Sequence, residues 1–191
     1  MKKDLLMMFF GLLLTVVLFG GTKIQSVEDY YQTHVDDIQE DSETITLSIR
    51  CDTVLENYER LDDQLQDPKY VPEDGTILPE TKYVLRPKDS VFDLLVRATR
   101  HEQIQMEYQG AGENLYGSAY ILGIHHIYEF SCGPLSGWMY RVNGEYPSRG
   151  CSQYLPVNGD HIEFIYTCDL GRDIGGYFLE QKENKELHFT Q

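Results

Sequence analysis

Between Cys132 and Asp173 the chain carries three of its four cysteines and its only tryptophan, spaced by two Asn-Gly dipeptides, Asn143-Gly144 and Asn158-Gly159. Asn-Gly flanked by alternating apolar segments signals a hairpin, because turns that match strand twist need φ > 0 at their central residues. After Gly137, Trp138, Tyr140 and Val142 share one face while Met139 and Arg141 share the other. From His161 onward Ile162, Phe164, Tyr166 and Cys168 share a face. This pattern argues for a compact, stapled β-rich unit and against a helical core.

The preceding residues add strands and one principal helix. Thr44 to Cys51 alternates strictly, with Ile45, Leu47, Ile49 and Cys51 in phase, so it reads as a half-buried strand. Val54, Leu55, Tyr58, Leu61 and Leu65 recur at helical spacing and predict a short amphipathic helix ended by Asp67-Pro68. Pro72 to Gly75 is a turn, and Thr81 to Leu85 a second strand. Ser90 and Asp93 stand at capping-box spacing ahead of a helix whose core stripe is Val91, Leu94, Leu95 and Ala98. Ile104 to Tyr108 reads as a strand and Gly110 to Asn114 as a loop. Tyr120 to Ile124 and Ile127 to Phe130 form a strand pair around His125-His126. Helix and strands are segregated rather than alternating, which predicts an α+β fold.

At the N-terminus Lys2-Lys3 precede an apolar run from Leu5 to Phe19 closed by Gly20-Gly21. This is an export signal. The run is short for a spanning helix of about 20 residues, and no clean cleavage site follows. Residues 1–21 are thus read as a signal peptide or an uncleaved membrane anchor, with the rest of the chain extracytoplasmic in either case. Residues 22–43 are acidic and core-poor, a solvated spacer. The folded domain is expected over 44–176, followed by a tail over 177–191. Outside the cytoplasm thiols oxidise, so four cysteines predict two disulfides, with three pairings open. The 31 acidic against 16 basic residues, a net charge of −15, argue against nucleic acid as a partner.

Catalytic constellations are absent from the sequence pattern. Ser136 and Ser152 lack a nucleophile-elbow context, and the chain is not expected to be an enzyme. His125 and His126 would point to opposite faces of a strand, which favours a turn over a metal site. Asp169 and Asp173 around Gly171-Arg172 read as a turn with an Arg172 ion pair rather than a calcium site, which needs six or more oxygens. Aromatic residues are the better clue. Tyr116, Tyr120, Tyr146 and Tyr154 lie in or beside glycine-rich loops, where tyrosine offers apolar area and a hydroxyl at small entropy cost.

Trp-Met-Tyr-Arg-Val-Asn-Gly, Gly-Cys-Ser-x-Tyr, Asn-Gly-Asp-x-Ile and Tyr-Thr-Cys-Asp-Leu-Gly-Arg-Asp, all within 138–173, resemble the transcobalamin C-terminal-like domain of bacterial surface proteins. Its animal relatives form the lid-like domain of the vitamin B12 carriers. The resemblance covers roughly the second half of the chain and implies a β-grasp-like mixed sheet over one main helix, with the first and last strands central and parallel. It suggests a corrinoid as cofactor, gripped by the hairpin of Trp138 and Met139, to which the loop tyrosines add Tyr116, Tyr120 and Tyr146 together with Gly123. No pattern for the helical barrel that supplies the other face of the ligand in the animal carriers is read in these residues, so a membrane partner such as a vitamin transporter is expected to supply that face. A structural or adhesive surface module is the alternative. In the implied sheet, Cys51 and Cys168 end adjacent strands on one side, which predicts disulfides Cys51–Cys168 and Cys132–Cys151.

Overall fold

The computed structural model describes residues 36–176. The apolar segment 1–21, the spacer as far as residue 35 and the tail over 177–191 lie outside the described residues. The chain divides into two compact units at Asp37–Ile38, and all the elements below belong to the second.

Strand β1 (Thr44–Arg50) leads into a single helical turn, α1 (Thr53–Glu56), then strand β2 (Thr76–Val84) and helix α2 (Val91–His101). Five strands follow: β3 (Met106–Gln109), β4 (Tyr120–Ile124), β5 (Ile127–Tyr128), β6 (Gly137–Val142) and β7 (His161–Thr167). They form two sheets, one ordered β2-β1-β7-β6 and one ordered β3-β4-β5. In the first sheet β1 and β7 are central and parallel, with Thr46 opposite His161 and Arg50 opposite Ile165, while β2 and β6 pair antiparallel outside them. The α+β architecture and the central parallel pair match the expectation. The separation of β3, β4 and β5 into a second sheet does not, since the β-grasp-like fold implied by the resemblance has a single mixed sheet.

Each element follows from its residues. Ile45, Leu47 and Ile49 of β1 are buried, and so are Ile162, Phe164 and Tyr166 of β7. The other face of β7 is covered too: Glu163, Ile165 and Thr167 are buried. Helix α2 presents Val91, Leu94, Leu95 and Ala98 to this core. Its N-terminus is closed by a full capping box: the Ser90 hydroxyl accepts from the Asp93 N–H at 3.2 Å, and the Asp93 carboxylate accepts from the Ser90 N–H at 2.9 Å.

Two sequence expectations shift in detail. The helix expected from Val54 to Leu65 is only α1 followed by two 3-10 turns, Tyr58–Arg60 and Asp63–Leu65. Asn57 leaves helical geometry at φ −121°, and its amide side chain donates to the Thr53 carbonyl, a local bond that competes with helix continuation. Strand β2 starts five residues earlier than its alternation suggests, because Pro79 interrupts the pattern at a bulge; proline is tolerated there since β2 is an edge strand. His125 and His126 form the turn between β4 and β5, both with positive φ, as their pairing predicts. At the end of β7, Asp173 accepts hydrogen bonds from the Thr167 hydroxyl and the Cys168 N–H, and Arg172 pairs with Asp169.

The disulfide expectation requires correction. All four cysteines are buried free thiols. The register of β1 on β7 continues to place Cys51 opposite Tyr166, two residues short of Cys168. Thr53 reaches Cys168 instead, with its hydroxyl 3.8 Å from the Cys168 sulfur. Cys132 belongs to the same cluster as Cys51 and Cys168, whereas Cys151 lies in the main core beside Ala119 and Phe164. Neither Cys51–Cys168 nor Cys132–Cys151 is thus favoured by the packing.

These contacts can be weighed by substitution. Ser90→Ala removes the cap of α2 and is expected to cost about 1 kcal/mol, read as a lower urea midpoint at unchanged m-value. The Arg141 guanidinium, 2.5 Å from the Glu163 carboxylate, holds the pKa of Glu163 below the usual glutamate value. Stability from this pair is therefore full above the unfolded glutamate pKa of about 4.3 and is lost as pH falls through the lower folded value. Glu163→Gln is expected to flatten the fall in stability measured by urea titration between about pH 5 and pH 3.

Candidate functional site

Where β4 and β6 approach each other, the two sheets leave a cleft of about 220 Å³ lined chiefly by Tyr120, Ile121, Trp138, Met139, Tyr140 and Pro147. Trp138 is held from two sides. Its indole N–H donates to the Ile127 carbonyl at 2.8 Å, and its ring meets Tyr166 edge-on at 5.3 Å between centroids. Tyr140 donates to the Arg149 carbonyl at 2.5 Å and stacks on Phe164. Tyr120 donates to the Glu129 carboxylate at 2.5 Å. Burial raises the pKa of both phenols above the ordinary tyrosine value, with the Glu129 bond a second cause for Tyr120. Both phenols and the indole N–H therefore already have partners inside the protein, and the cleft presents mainly ring faces and aliphatic carbon.

The rim is built by a loop that the sequence marks only as glycine-rich. Tyr116, 70% exposed, stacks on Tyr120 with centroids 5.3 Å apart. Asn114 pins this loop: its amide donates to the carbonyls of Gly110 and Ser118, and its oxygen accepts from the Tyr116 N–H. Ser118 and Ser152 hydrogen-bond through their hydroxyls, joining the loop to the Cys151 segment. That contact requires Gly150, where a Cβ would lie 2.0 Å from the Ser118 oxygen.

Of the residues proposed from sequence, Tyr120, Trp138 and Met139 line the cleft, and Tyr116 sits over Tyr120. Gly123 and Tyr146 do not line it. Gly123 is buried on β4 against the Tyr128 ring, where a Cβ would come within 2.6 Å of Cδ1. Tyr146 donates to the Ile174 carbonyl at 2.7 Å, tying the segment after β6 to the turn after β7. Ile121, Tyr140 and Pro147 belong to the cleft although the sequence pattern does not single them out as site residues. Tyr140 is in phase with Trp138 and reads as core; Pro147 carries no periodic signal.

A second, more open groove of about 780 Å³ runs beside the His125-His126 turn, lined by Asp62, Asp63, Tyr70, His126, Tyr128 and Phe130 among others. The His125 ring faces the Lys69 carbonyl at 3.0 Å, and desolvation lowers its pKa below the usual histidine value. Among the described residues no group of three or more His, Cys, Asp or Glu side chains is placed to share a metal ion.

Residues 88–167 match a protein family described as a domain of unknown function (DUF4430), a span that begins before α2 and ends with β7. None of the curated proteins matches the chain. Among solved structures, the crystal structure of haptocorrin in complex with Cbi is similar at a TM-score of 0.44 and 14% identity, over 70% of this chain and 27% of that one. The chain thus spans about a quarter of haptocorrin's length.

Gly123→Ala tests the packing assigned to β4. The added methyl must displace the Tyr128 ring, so stability is expected to fall by about 1–3 kcal/mol, measured by urea unfolding. A neutral result would mean that the ring does not occupy that position.

Proposed function

We propose that the chain is an extracytoplasmic ligand-binding module, not an enzyme, that covers one face of a flat, largely apolar ligand at the β4–β6 cleft. The observation that carries this reading is the convergence of Tyr120, Trp138, Met139 and Tyr140 on one cleft whose phenol and indole donors are already bonded to protein acceptors. A ligand gains ring stacking and apolar burial there rather than hydrogen bonds. The cleft of about 220 Å³ is smaller than the roughly 300–1,000 Å³ of sites that enclose a drug-sized ligand. It suits a ligand edge or face whose remainder is covered by another body.

A corrinoid, the cofactor class suggested by the motif resemblance, has a flat macrocycle that such a surface can cover, with a membrane partner such as a transporter supplying the opposite face. The signal or anchor at the N-terminus would hold the module at the membrane for that purpose. One observation favours the second reading, an adhesive or structural surface module: Leu115 is fully exposed beside Tyr116 at the cleft rim, a natural contact for a protein partner.

Because Trp138 is the only tryptophan, its fluorescence reports directly on the cleft. Titration of the protein with a corrinoid, corrected for ligand absorbance, is expected to give saturable quenching by high micromolar ligand. Tyr120→Ala is expected to weaken binding up to about tenfold, the equivalent of one aromatic contact. Absence of quenching in the folded protein would contradict the small-ligand reading and leave the surface-module reading.

A further inference from the structure

Three of the four cysteines share one small core, against which Trp138 packs. Cys51, Cys132 and Cys168 are each at most 1% exposed and pack with Val54, Leu61, Ile127 and Tyr166. Within this cluster the geometry singles out two. The Cys132 thiol donates to the Asn57 carbonyl at 3.5 Å, and the Cys168 thiol to the Thr53 hydroxyl at 3.8 Å. Thr53 and Asn57 stand one helical turn apart and are themselves bonded, the Asn57 amide to the Thr53 carbonyl at 2.9 Å. One short segment therefore holds both sulfurs, and each thiol is among the neighbours that shift the other's pKa. Ser136 fixes the approach from the other side: its hydroxyl oxygen accepts from the Cys132 N–H at 3.1 Å and lies 2.9 Å from the Tyr166 hydroxyl.

The neighbours of the remaining cysteines differ. Burial pushes the Cys51 thiol up to about 12, and the charges of Asp52 and Asp74 act in the same direction. Cys151 donates to the Ala119 carbonyl at 3.5 Å in the main core, its thiol raised by burial to about 11. Among the described residues neither thiol hydrogen-bonds to the Thr53–Asn57 segment that holds the other two sulfurs.

We propose that Cys132 and Cys168 are a modification site, joined in the working protein by a disulfide that ties the turn after β5 to the end of β7, while Cys51 and Cys151 remain buried thiols. The bond locks the second sheet to the first directly under Trp138, whose indole bridges the same two elements through Ile127 and Tyr166. It sets the spacing of the cleft between β4 and β6. The reaction is exchange with a small-molecule or protein disulfide. The Cys132 thiolate attacks the oxidant disulfide and releases one thiol. The Cys168 thiolate then displaces the second. The Cys132–Cys168 bond forms, the oxidant bond breaks and takes up two electrons, and both cysteine protons end on the released thiols. Such oxidants belong to the extracytoplasmic setting proposed above.

Refolding the reduced full chain in mild detergent with a glutathione redox couple makes the test independent of where the protein resides. Free thiols are then alkylated under denaturing conditions, and the peptides are mapped without reduction. The expected result is alkylation at Cys51 and Cys151 only, one linked peptide pair carrying Cys132 and Cys168, and a Tm that falls by about 10 °C when a phosphine reductant is added, the size expected for opening a loop of this length. The reductant-dependent shift is expected to vanish in the double variant Cys132→Ala/Cys168→Ala and to persist in Cys151→Ala. Alkylation of all four cysteines without reduction, or any linkage through Cys51 or Cys151, would overturn the assignment. The mapping uses the unaltered chain, so it decides between these outcomes even where a substituted chain fails to fold.

Discussion

Parallel pairing of β1 with β7 brings the two ends of the domain together, with Thr46 opposite His161 and Arg50 opposite Ile165. The first bond beyond this ladder, from the Thr53 hydroxyl to the Tyr166 carbonyl at 2.6 Å, joins residues 113 apart in sequence. Closing so long a loop costs entropy that only a well-buried contact can offset, and β7 supplies one on both faces. One side packs Ile162 and Phe164 against β1 and α2; the other buries Glu163, which is satisfied by Arg141 through two hydrogen bonds. Once β7 is seated, β6 pairs along its free edge and Trp138 is aligned with Tyr166. The cleft therefore inherits its geometry from the central pair. Folding of this domain should be limited by that long-range contact rather than by its helices.

Much of this arrangement is legible in the residues. The alternation of Ile45, Leu47 and Ile49 and of Ile162, Phe164 and Tyr166 identifies two strands, and the family resemblance implies that they are central and parallel. Ser90 and Asp93 mark the start of α2, and the Asn-Gly and His-His dipeptides fall at turns. These signals are local, and local physics decides them. What escapes depends on distance. The strict alternation of β1 and β7 fixes which face each cysteine takes but not the register between the strands. A shift of two residues preserves the face, so it passes unnoticed in the pattern and moves Thr53, instead of Cys51, onto Cys168. The separation of the strands into two sheets is likewise set by packing: β4 contacts β6 without continuing its ladder.

The candidate site is legible to the same degree. Trp138, Met139 and Tyr120 are identifiable as aromatic or apolar groups next to glycine-rich segments, and they converge. Gly123 and Tyr146 lie in equally suggestive contexts, but their surroundings are private: Gly123 makes room for Tyr128, and Tyr146 spends its hydroxyl on the Ile174 carbonyl. No periodicity distinguishes a tyrosine that braces a turn from one that faces a ligand. The difference lies in which acceptor the fold places within reach.

If the β4–β6 cleft is the surface that meets a ligand, the open groove around Tyr70 and Phe130 is its nearest competitor within the described residues. Residue-resolved NMR of the protein titrated with a corrinoid separates the two. Shifts are expected to concentrate at the Trp138 indole N–H, the Met139 methyl and the Tyr120 ring, with Tyr70, His126 and Phe130 unmoved. Shifts centred on Tyr70 and Phe130 with Trp138 unchanged would contradict the cleft as the binding surface.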